Sequence, residues 1–369
     1  MEKADFRVLL VSDMGKVGGT EIATMIAAKE LRAVTDKVFV FGKKGPVSDV
    51  IAEMNVEQFE AECHTRNPFK LIQYIMKMVK VINQHDINII HSQMARPVVF
   101  IWLAKLLSRN RNKIKVFWTS RGIDKDTYPK VVPMFTKMDV RGIGNCKREQ
   151  QKLIRFGFPE HRTSYVYNAY RLIPTKKPMK PLNKSELVIG TLSALRESRR
   201  VDLFIRLAHY LLDNNILKQN VRFVVGGDGT HLPELKRLAV ELGISDKVTF
   251  LGNVKDISPF MDQIDIFVSS LVMDRDSGAG LSNSIVEAMV MKVPVCSFDA
   301  VAIGEIVING QTGYLIEPGN MEAMANAIKE VIENPETTEQ YVNNAYHLIL
   351  AECDPQNYAK KLISIYKDL

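Results

Sequence analysis

Residues 274–299 read DRDSGAGLSNSIVEAMVMKVPVCSFD, a polar glycine-containing loop, a short apolar helix and a β-branched strand in immediate succession. The succession describes an anion site opening onto a buried sheet. Gly278 and Gly280 lack Cβ atoms and let backbone amides approach a ligand closely. Ser282, Asn283 and Ser284 stand where a helix starts, with side chains suited to capping and N–H groups aimed outward. A helix terminus of this kind attracts phosphate through its unpaired amides and its dipole. Glu287 lies one turn inside, placed to face a ligand's hydroxyls. An ordinary capped connection between strands carries the same signs, and the rest of the chain separates the two readings.

Around this stretch the pattern repeats. Strand-like runs at 186–193, 221–227, 247–252, 264–270, 293–298 and 313–317 alternate with helical spacing at 201–213, 232–242, 285–291 and 321–332. The first half has the same rhythm, with strands at 6–13, 37–42, 87–92, 115–120, 141–145 and 164–168 and helices at 21–32, 69–83, 98–107 and 147–156. Alternation of this kind implies a parallel sheet covered by helices on both faces, binding ligands beyond the carboxyl ends of its strands. Residues 171–185, RLIPTKKPMKPLNKS, have linker composition. The reading is an α/β protein with a domain at 1–170, a linker at 171–185 and a second domain at 186–353. Two such domains facing across a hinge enclose a cleft for a ligand. Helices at 338–351 and 358–366 close the chain, interrupted at Asp354-Pro355. The last either caps the second domain or crosses back to the first.

With 369 residues, 46% hydrophobic and 25% charged, the chain is a soluble globular protein of two-domain size. No apolar run is long enough to cross a bilayer, and MEKADFRVLLVSDMG is charged where a secretory signal needs its apolar core, so a cytoplasmic location is expected. Cysteines 63, 146, 296 and 353 lack metal-type spacing, the histidines form no HxxxH or HxH pair, and no metal or cofactor is expected. The net charge of +7 calls for an anionic partner. Nucleic acid is not expected, because no recognised motif and no aromatics interleave with the basic clusters. Of two basic amphipathic stretches, 69–80 reads as a core-facing helix with a solvated back. The other, 103–115, with Arg109, Arg111, Lys113 and Lys115, is the better contact for an anionic membrane surface.

Four further segments bear on chemistry. Gly18 and Gly19 sit in a strand-to-helix turn, where backbone N–H groups either meet a phosphate or simply turn the chain. The 226–229 loop, GGDG, likewise lines a pocket or merely turns. In RESRR, Arg196 to Arg200, guanidinium groups are suited to forking onto a diphosphate, or form a solvated basic loop. Asp274-Arg275-Asp276 matches the short DxD string of metal-dependent transfer and equally a solvated charged loop.

Taken together, GGTE near the N-terminus, YNA at 167–169, IGTLSALRESRRVDLFIRLA at 189–208, VVGGDG at 224–229, VTFLGNV at 248–254, GLSNSIVEAM at 280–289, PVCSFD at 294–299 and NGQTGYLIEPGN at 309–320 resemble the retaining glycosyltransferases of family 4, with the GT-B fold. The resemblance covers nearly the whole chain and is most specific in its C-terminal half. It implies transfer of a sugar from a nucleotide diphosphate donor with retained configuration and no obligatory metal. The donor would lie mainly on the C-terminal domain and the acceptor, a glycan or lipid-linked sugar, on the N-terminal one. By position, Glu287 is the second glutamate of the family's E-x7-E element, which holds the ribose. Gly280, Leu281 and Ser284 approach the sugar and phosphates, with Asn283 beside them. Gly18 and Gly19 lie on the loop near the diphosphate, and Arg199 replaces the phosphate-binding lysine. Three positions depart from the family: Ala279 replaces the first glutamate, Ala194 an arginine and Arg121 a histidine. Arg196 or Arg200 is placed to restore the missing cation and Asp276 the missing carboxylate. The implied reading is a surface-glycan transferase on the inner face of the membrane, with Arg199, Arg196 and Arg121 carrying the chemistry. The alternative is a catalytically degenerate member that binds nucleotide or glycan and supports a partner enzyme.

Overall fold

A computed structural model describes residues 6–15, 18–35, 37–170, 174–273 and 280–368. The chain divides into two compact units, the first comprising Met1–Arg171, Gly278–Gly280 and Cys353–Leu369, and the second Leu172–Ser277 and Leu281–Glu352.

The first unit is a seven-stranded parallel sheet. Its strands are β1 (Val8–Val11), β2 (Val38–Gly42), β3 (Glu57–Glu60), β4 (Ile89–Ser92), β5 (Lys115–Ser120), β6 (Val140–Gly144) and β7 (Thr163–Tyr165), in the order β3-β2-β1-β4-β5-β6-β7. Val8 of β1 lies between Val38 and Ile89, so the strand order reverses beside β1. The second unit repeats the plan with β8 (Glu186–Leu192), β9 (Asn220–Gly226), β10 (Val248–Gly252), β11 (Ile266–Ser269), β12 (Val295–Phe298) and β13 (Tyr314–Ile316), in the order β10-β9-β8-β11-β12-β13. Ile189 pairs with Phe223 on one side and Ile266 on the other, which puts this sheet's reversal between β8 and β11. The fold class read from the sequence, an α/β protein of two parallel-sheet domains, is the one observed.

Helices α1 (Gly19–Arg32), α2 (Ser48–Glu53), α3 (Pro68–Gln84), α4 (Pro97–Leu107), α5 (Tyr128–Lys137) and α6 (Lys147–Arg155) belong to the first unit. In the second are α7 (Val201–Asp213), α8 (Leu232–Glu241), α9 (Ile257–Gln263), α10 (Asn283–Val290), α11 (Met321–Glu333) and α12 (Pro335–Cys353). The last, α13 (Pro355–Asp368), packs on the first sheet. On one face of that sheet, α3, α4 and α5 bury Tyr74, Ile101 and Phe135 with Trp118. On the other, α1 and α13 bury Ile26 and Leu362 with Leu10. The Asp354 carboxylate accepts the N–H groups of Gln356 and Asn357 at 3.0 and 3.1 Å, so the break at Asp354-Pro355 ends one helix and caps the next. Tyr366 then reaches Phe117, with ring centroids 4.9 Å apart, and its hydroxyl meets His91 Nδ1 at 2.8 Å. Burial, then the nearby Arg121, depresses His91 to about 3, so this histidine is a neutral core residue.

Strand β3 and helices α2, α5 and α9 add to the elements read from the sequence. EQFE is a polar edge strand without apolar alternation. Helix α5 carries Pro133 in its interior, and α9 has only seven residues. The stretch 69–80 is a core-facing helix with an exposed back, as read, and that back has an apolar part. Helix α3 buries Tyr74, Met78, Val81 and Ile82, but its solvent side is not simply polar, since Phe69, Ile72 and Met76 are exposed there.

Candidate functional site

In the second unit the loops leaving β8 and β11 converge at the reversal of strand order, where open parallel sheets leave a crevice. A narrow recess there, about 30 Å³, is lined by Thr191, Ser193, Arg199, Ser270, Ser282 and Ser284 among others. Its polar lining and a single guanidinium suit an anionic oxygen group. Arg199 closes a short turn, Glu197–Arg199, and has no ion pair among the described residues. Ser282 is the N-cap residue of α10, yet its side chain makes no capping hydrogen bond; its hydroxyl lies 3.2 Å from that of Ser284. The first-turn amides of α10 are therefore left without a side-chain cap, and the dipole there favours an anion.

Leu281 is buried beneath this turn, Asn283 is exposed on it, and Gly280 enters it with φ +90°, a conformation that favours glycine. One turn along α10 stands Glu287, partly buried and with no side-chain partner among the described residues. Burial alone lifts its carboxyl from 4.5 to about 7, the mark of a carboxylate desolvated without a cation to compensate.

The three arginines of RESRR fare differently. Arg199 lines the recess. Arg196 is exposed and is absent from its lining. Arg200, in left-handed backbone at φ +53°, forks onto Asp202 through two 3.0 Å hydrogen bonds, which commits it to the start of α7. Ala194 is exposed, while Ala279, Asp274, Asp276 and Gly278 lie outside the described residues.

Two glycine loops that look alike in sequence have different physical causes. In GGDG, a Cβ on Gly227 would stand 1.8 Å from the Ser193 carbonyl oxygen, and the residue has φ +122°. Glycine is required there by the neighbouring loop, whose Leu195 N–H donates to the Asp228 carbonyl at 2.9 Å. Gly18 and Gly19 at the start of α1 are under no such demand. A Cβ on Gly19 meets nothing within 4 Å, and one on Gly18 meets only the flexible tip of Glu21. Gly18 is the extended N-cap of α1, without a side-chain cap, and the Glu21 carboxylate of the first turn stands beside it.

Arg121 leaves the end of β5. Its guanidinium donates to Gln93 Oε1 and Asn168 Oδ1, both at 2.6 Å, which orients it between the ends of β4 and β7. Burial lowers its proton affinity, opposed by Tyr358, Tyr170 and Glu21, and no carboxylate pairs with it among the described residues. Arg121 Nε, Ser12 Oγ and Asn145 Oδ1 are buried without a protein partner among those residues, and all three lie at carboxyl ends of strands in this sheet. Buried polar atoms are seldom left unpaired, so each marks a place for a polar ligand or water. Gln93, Asn168, Ser12 and Asn145 were not singled out in the sequence. Asn168, inside the YNA string, carried the one signal that could have found them.

Asp13, Cys63 and His64 are the trio with metal-ligand atoms close together among the described residues. Asp13 and His64 approach to 3.2 Å, and burial, then Asp13, pushes the Cys63 thiol up to about 11. Their spacing in the chain concealed this cluster. A contact between Asp13 and His64 beside a protonated thiol accounts for it.

Residues 173–348 match the Glycosyl transferases group 1 family, and residues 7–138 match Glycosyl transferase 4-like. Alpha-D-kanosaminyltransferase of Streptomyces kanamyceticus is 28% identical over 152 residues, 41% of this chain and 38% of that protein. The lipopolysaccharide core biosynthesis mannosyltransferase LpcC of Rhizobium leguminosarum bv. viciae is 28% identical over 187 residues, 49% of this chain and 51% of that protein. The chain thus spans about half or less of the length of these relatives. Among solved structures, Anabaena Alr3699/HepE in complex with UDP superposes with a TM-score of 0.80 at 18% identity, covering 99% of this chain and 100% of that one. The fold is that of GT-B glycosyltransferases. No helix among the described residues is long and apolar enough to cross a membrane.

Proposed function

We propose that this chain, which carries a group 1 glycosyltransferase domain and a 4-like domain, moves a sugar from a nucleotide diphosphate donor to a glycan or lipid-linked acceptor in surface polysaccharide synthesis, with retention of anomeric configuration. One observation carries the reading: Arg199, the hydroxyls of Ser282 and Ser284, and the uncapped start of α10 converge at the strand-order reversal, one turn before the unpaired carboxyl of Glu287. The diphosphate sits against Arg199 and the α10 amides, and the ribose hydroxyls donate to Glu287.

As the bond from the anomeric carbon to the phosphate oxygen breaks, negative charge grows on the departing diphosphate. Arg199 offsets it, in a geometry fixed before the reaction. The acceptor hydroxyl attacks from the face the phosphate leaves, and its proton passes to a phosphate oxygen. Arg121, oriented by Gln93 and Asn168, supplies the fixed cation of the first unit, and the amides at Gly18 and Gly19 take an anionic oxygen. In this reading the positive charge comes from the chain's own groups, and no metal is assigned. The mannosyltransferase that shares 28% identity with half of this chain acts in lipopolysaccharide core biosynthesis, which favours a cell-surface glycan as product.

A second reading, a degenerate member that binds nucleotide or glycan and supports a partner enzyme, is favoured by the commitment of Arg200 to Asp202 and the position of Arg196 outside the recess. Arg199 is then the single arginine lining the recess among the described residues. A screen of UDP-, GDP- and ADP-sugars for thermal stabilisation, followed by turnover with the best binder, separates the two. Stabilisation with transfer of an α-configured sugar from an α-configured donor supports the enzyme. Binding without transfer or hydrolysis over a broad acceptor panel supports the alternative, and an inverted product rules out retention.

A further inference from the structure

Helix α3 carries more apolar surface than its sheet can cover. Its inner side buries Tyr74, Met78, Val81 and Ile82. On the outer side, Phe69, Ile72 and Met76 follow at helical spacing and are 74%, 56% and 54% exposed. Scattered exposed apolar residues are ordinary, but three along one strip of one helix are not accounted for by the core. Helix α4 has exposed apolar residues of its own, beside the C-terminal end of α3. Its last residues, Leu106 and Leu107, are exposed, and the following Arg109 N–H donates to Asn83 Oδ1 at 2.9 Å, tying the end of α4 to the end of α3.

The chain that forms this region is strongly basic, although β3, with Glu57 and Glu60, lies alongside and Lys77 donates to the Glu60 carbonyl. Residues 66–115 hold ten lysines and arginines against one acidic residue, Asp86. Lys70 stands in the first turn of α3, where the helix dipole disfavours a cation, and no acidic residue shares that turn. Pro68 and the Asn67 side chain, which accepts the Phe69 N–H at 3.0 Å, hold that turn in place. The combination of protruding apolar side chains with a basic surround is the composition of a helix lying in the boundary layer of a bilayer.

We infer that the outer face of α3, with the end of α4 and the basic turn after it, docks on a phospholipid surface rich in anionic headgroups. Phe69, Ile72 and Met76 enter the acyl boundary, and the lysines and arginines meet headgroup phosphates. A second copy of the chain is a poor occupant, because it would bring two basic faces together. The proposal goes beyond sugar transfer and does not depend on it.

The test is partition onto vesicles of phosphatidylcholine with and without about one third phosphatidylglycerol, measured by cosedimentation, for the full chain and for a Phe69→Ser/Ile72→Ser/Met76→Ser variant. Binding to anionic vesicles that weakens with salt is expected, with at least a roughly tenfold loss in the triple variant. Lys70→Gln and Lys80→Gln should each lower the partition by about fivefold. Unchanged thermal unfolding shows that the variants fold. Absence of vesicle binding, equal binding to neutral vesicles, or full binding by the triple variant overturns the proposal. So does a concentration-dependent dimer that the triple variant abolishes while vesicle binding is absent.

Discussion

Replacing Glu287 by glutamine should make the protein more stable and a poorer binder of nucleotide at the same time. The folded chain holds the Glu287 proton up to about pH 7, whereas the unfolded chain releases it near 4.5. Ionisation therefore favours the unfolded chain, and the residue's relative contribution to stability is full below 4.5 and lost as pH rises to 7. The displacement corresponds to a ceiling of about 3 kcal/mol, and to ~1–2 kcal/mol once the carboxyl's partial exposure is discounted. Glutamine has nearly the same shape and never ionises. Glu287→Gln should then raise the melting temperature at pH 8 by about 2–8 °C for a unit of this size, with little change at pH 4.5. Loss of a charged acceptor facing ribose hydroxyls costs about 1.5–3 kcal/mol, so UDP affinity at pH 8 should fall about ten- to a hundredfold. Wild-type affinity should itself rise with pH through 7 as the carboxylate forms. Thermal denaturation at the two pH values, with calorimetric UDP titration, measures both effects. A variant equally stabilised at both pH values, or destabilised at pH 8, refutes the burial argument. Unchanged UDP affinity refutes the ribose contact.

The two glycine loops predict opposite phenotypes. Gly19→Ala should unfold like wild type and bind UDP more weakly, whereas Gly227→Ala should lose at least ~2 kcal/mol of stability, because its backbone conformation and the Ser193 carbonyl both exclude a side chain. Equal melting curves for the two would show that the contact with Ser193 does not matter. Arg199→Ala should lower turnover by about 10²–10³-fold without altering the melting temperature, with partial recovery in Arg199→Lys. Undiminished turnover would move the phosphate elsewhere. Tyr366→Phe leaves a buried ring nitrogen of His91 unpaired and should cost about 1–3 kcal/mol. His91, depressed from 6.5 to about 3 in the folded chain, contributes stability that is present above 6.5 and is lost as pH falls towards 3. Acid unfolding of a His91→Gln variant should accordingly be less steep over that range.

The alternation of β-branched runs with helical spacing was sufficient to determine two parallel sheets, because strand and helix periodicities are local properties of the chain. The start of α10 and Arg199 were read at strand-to-helix turns and the structure places them there, whereas Glu287 lies within α10 itself. Three things needed the tertiary structure. Which glycine loop serves packing and which does not depends on a carbonyl that approaches from thirty-odd residues away at Gly227 and on open space at Gly19. The company of Arg121 comes from Gln93 and Asn168, brought to it by the pairing of strands distant in the chain. Periodicity also fails for α3, which is apolar on both sides, so only packing decides that Tyr74 and Met78 go inside and Phe69, Ile72 and Met76 stay out. The same holds at Asp354-Pro355, where the residues announce a break but the fit of Tyr366 against Phe117 and His91 decides which sheet the last helix joins. A chain's own periods specify its elements, whereas the surface that each element finds is a property of the whole.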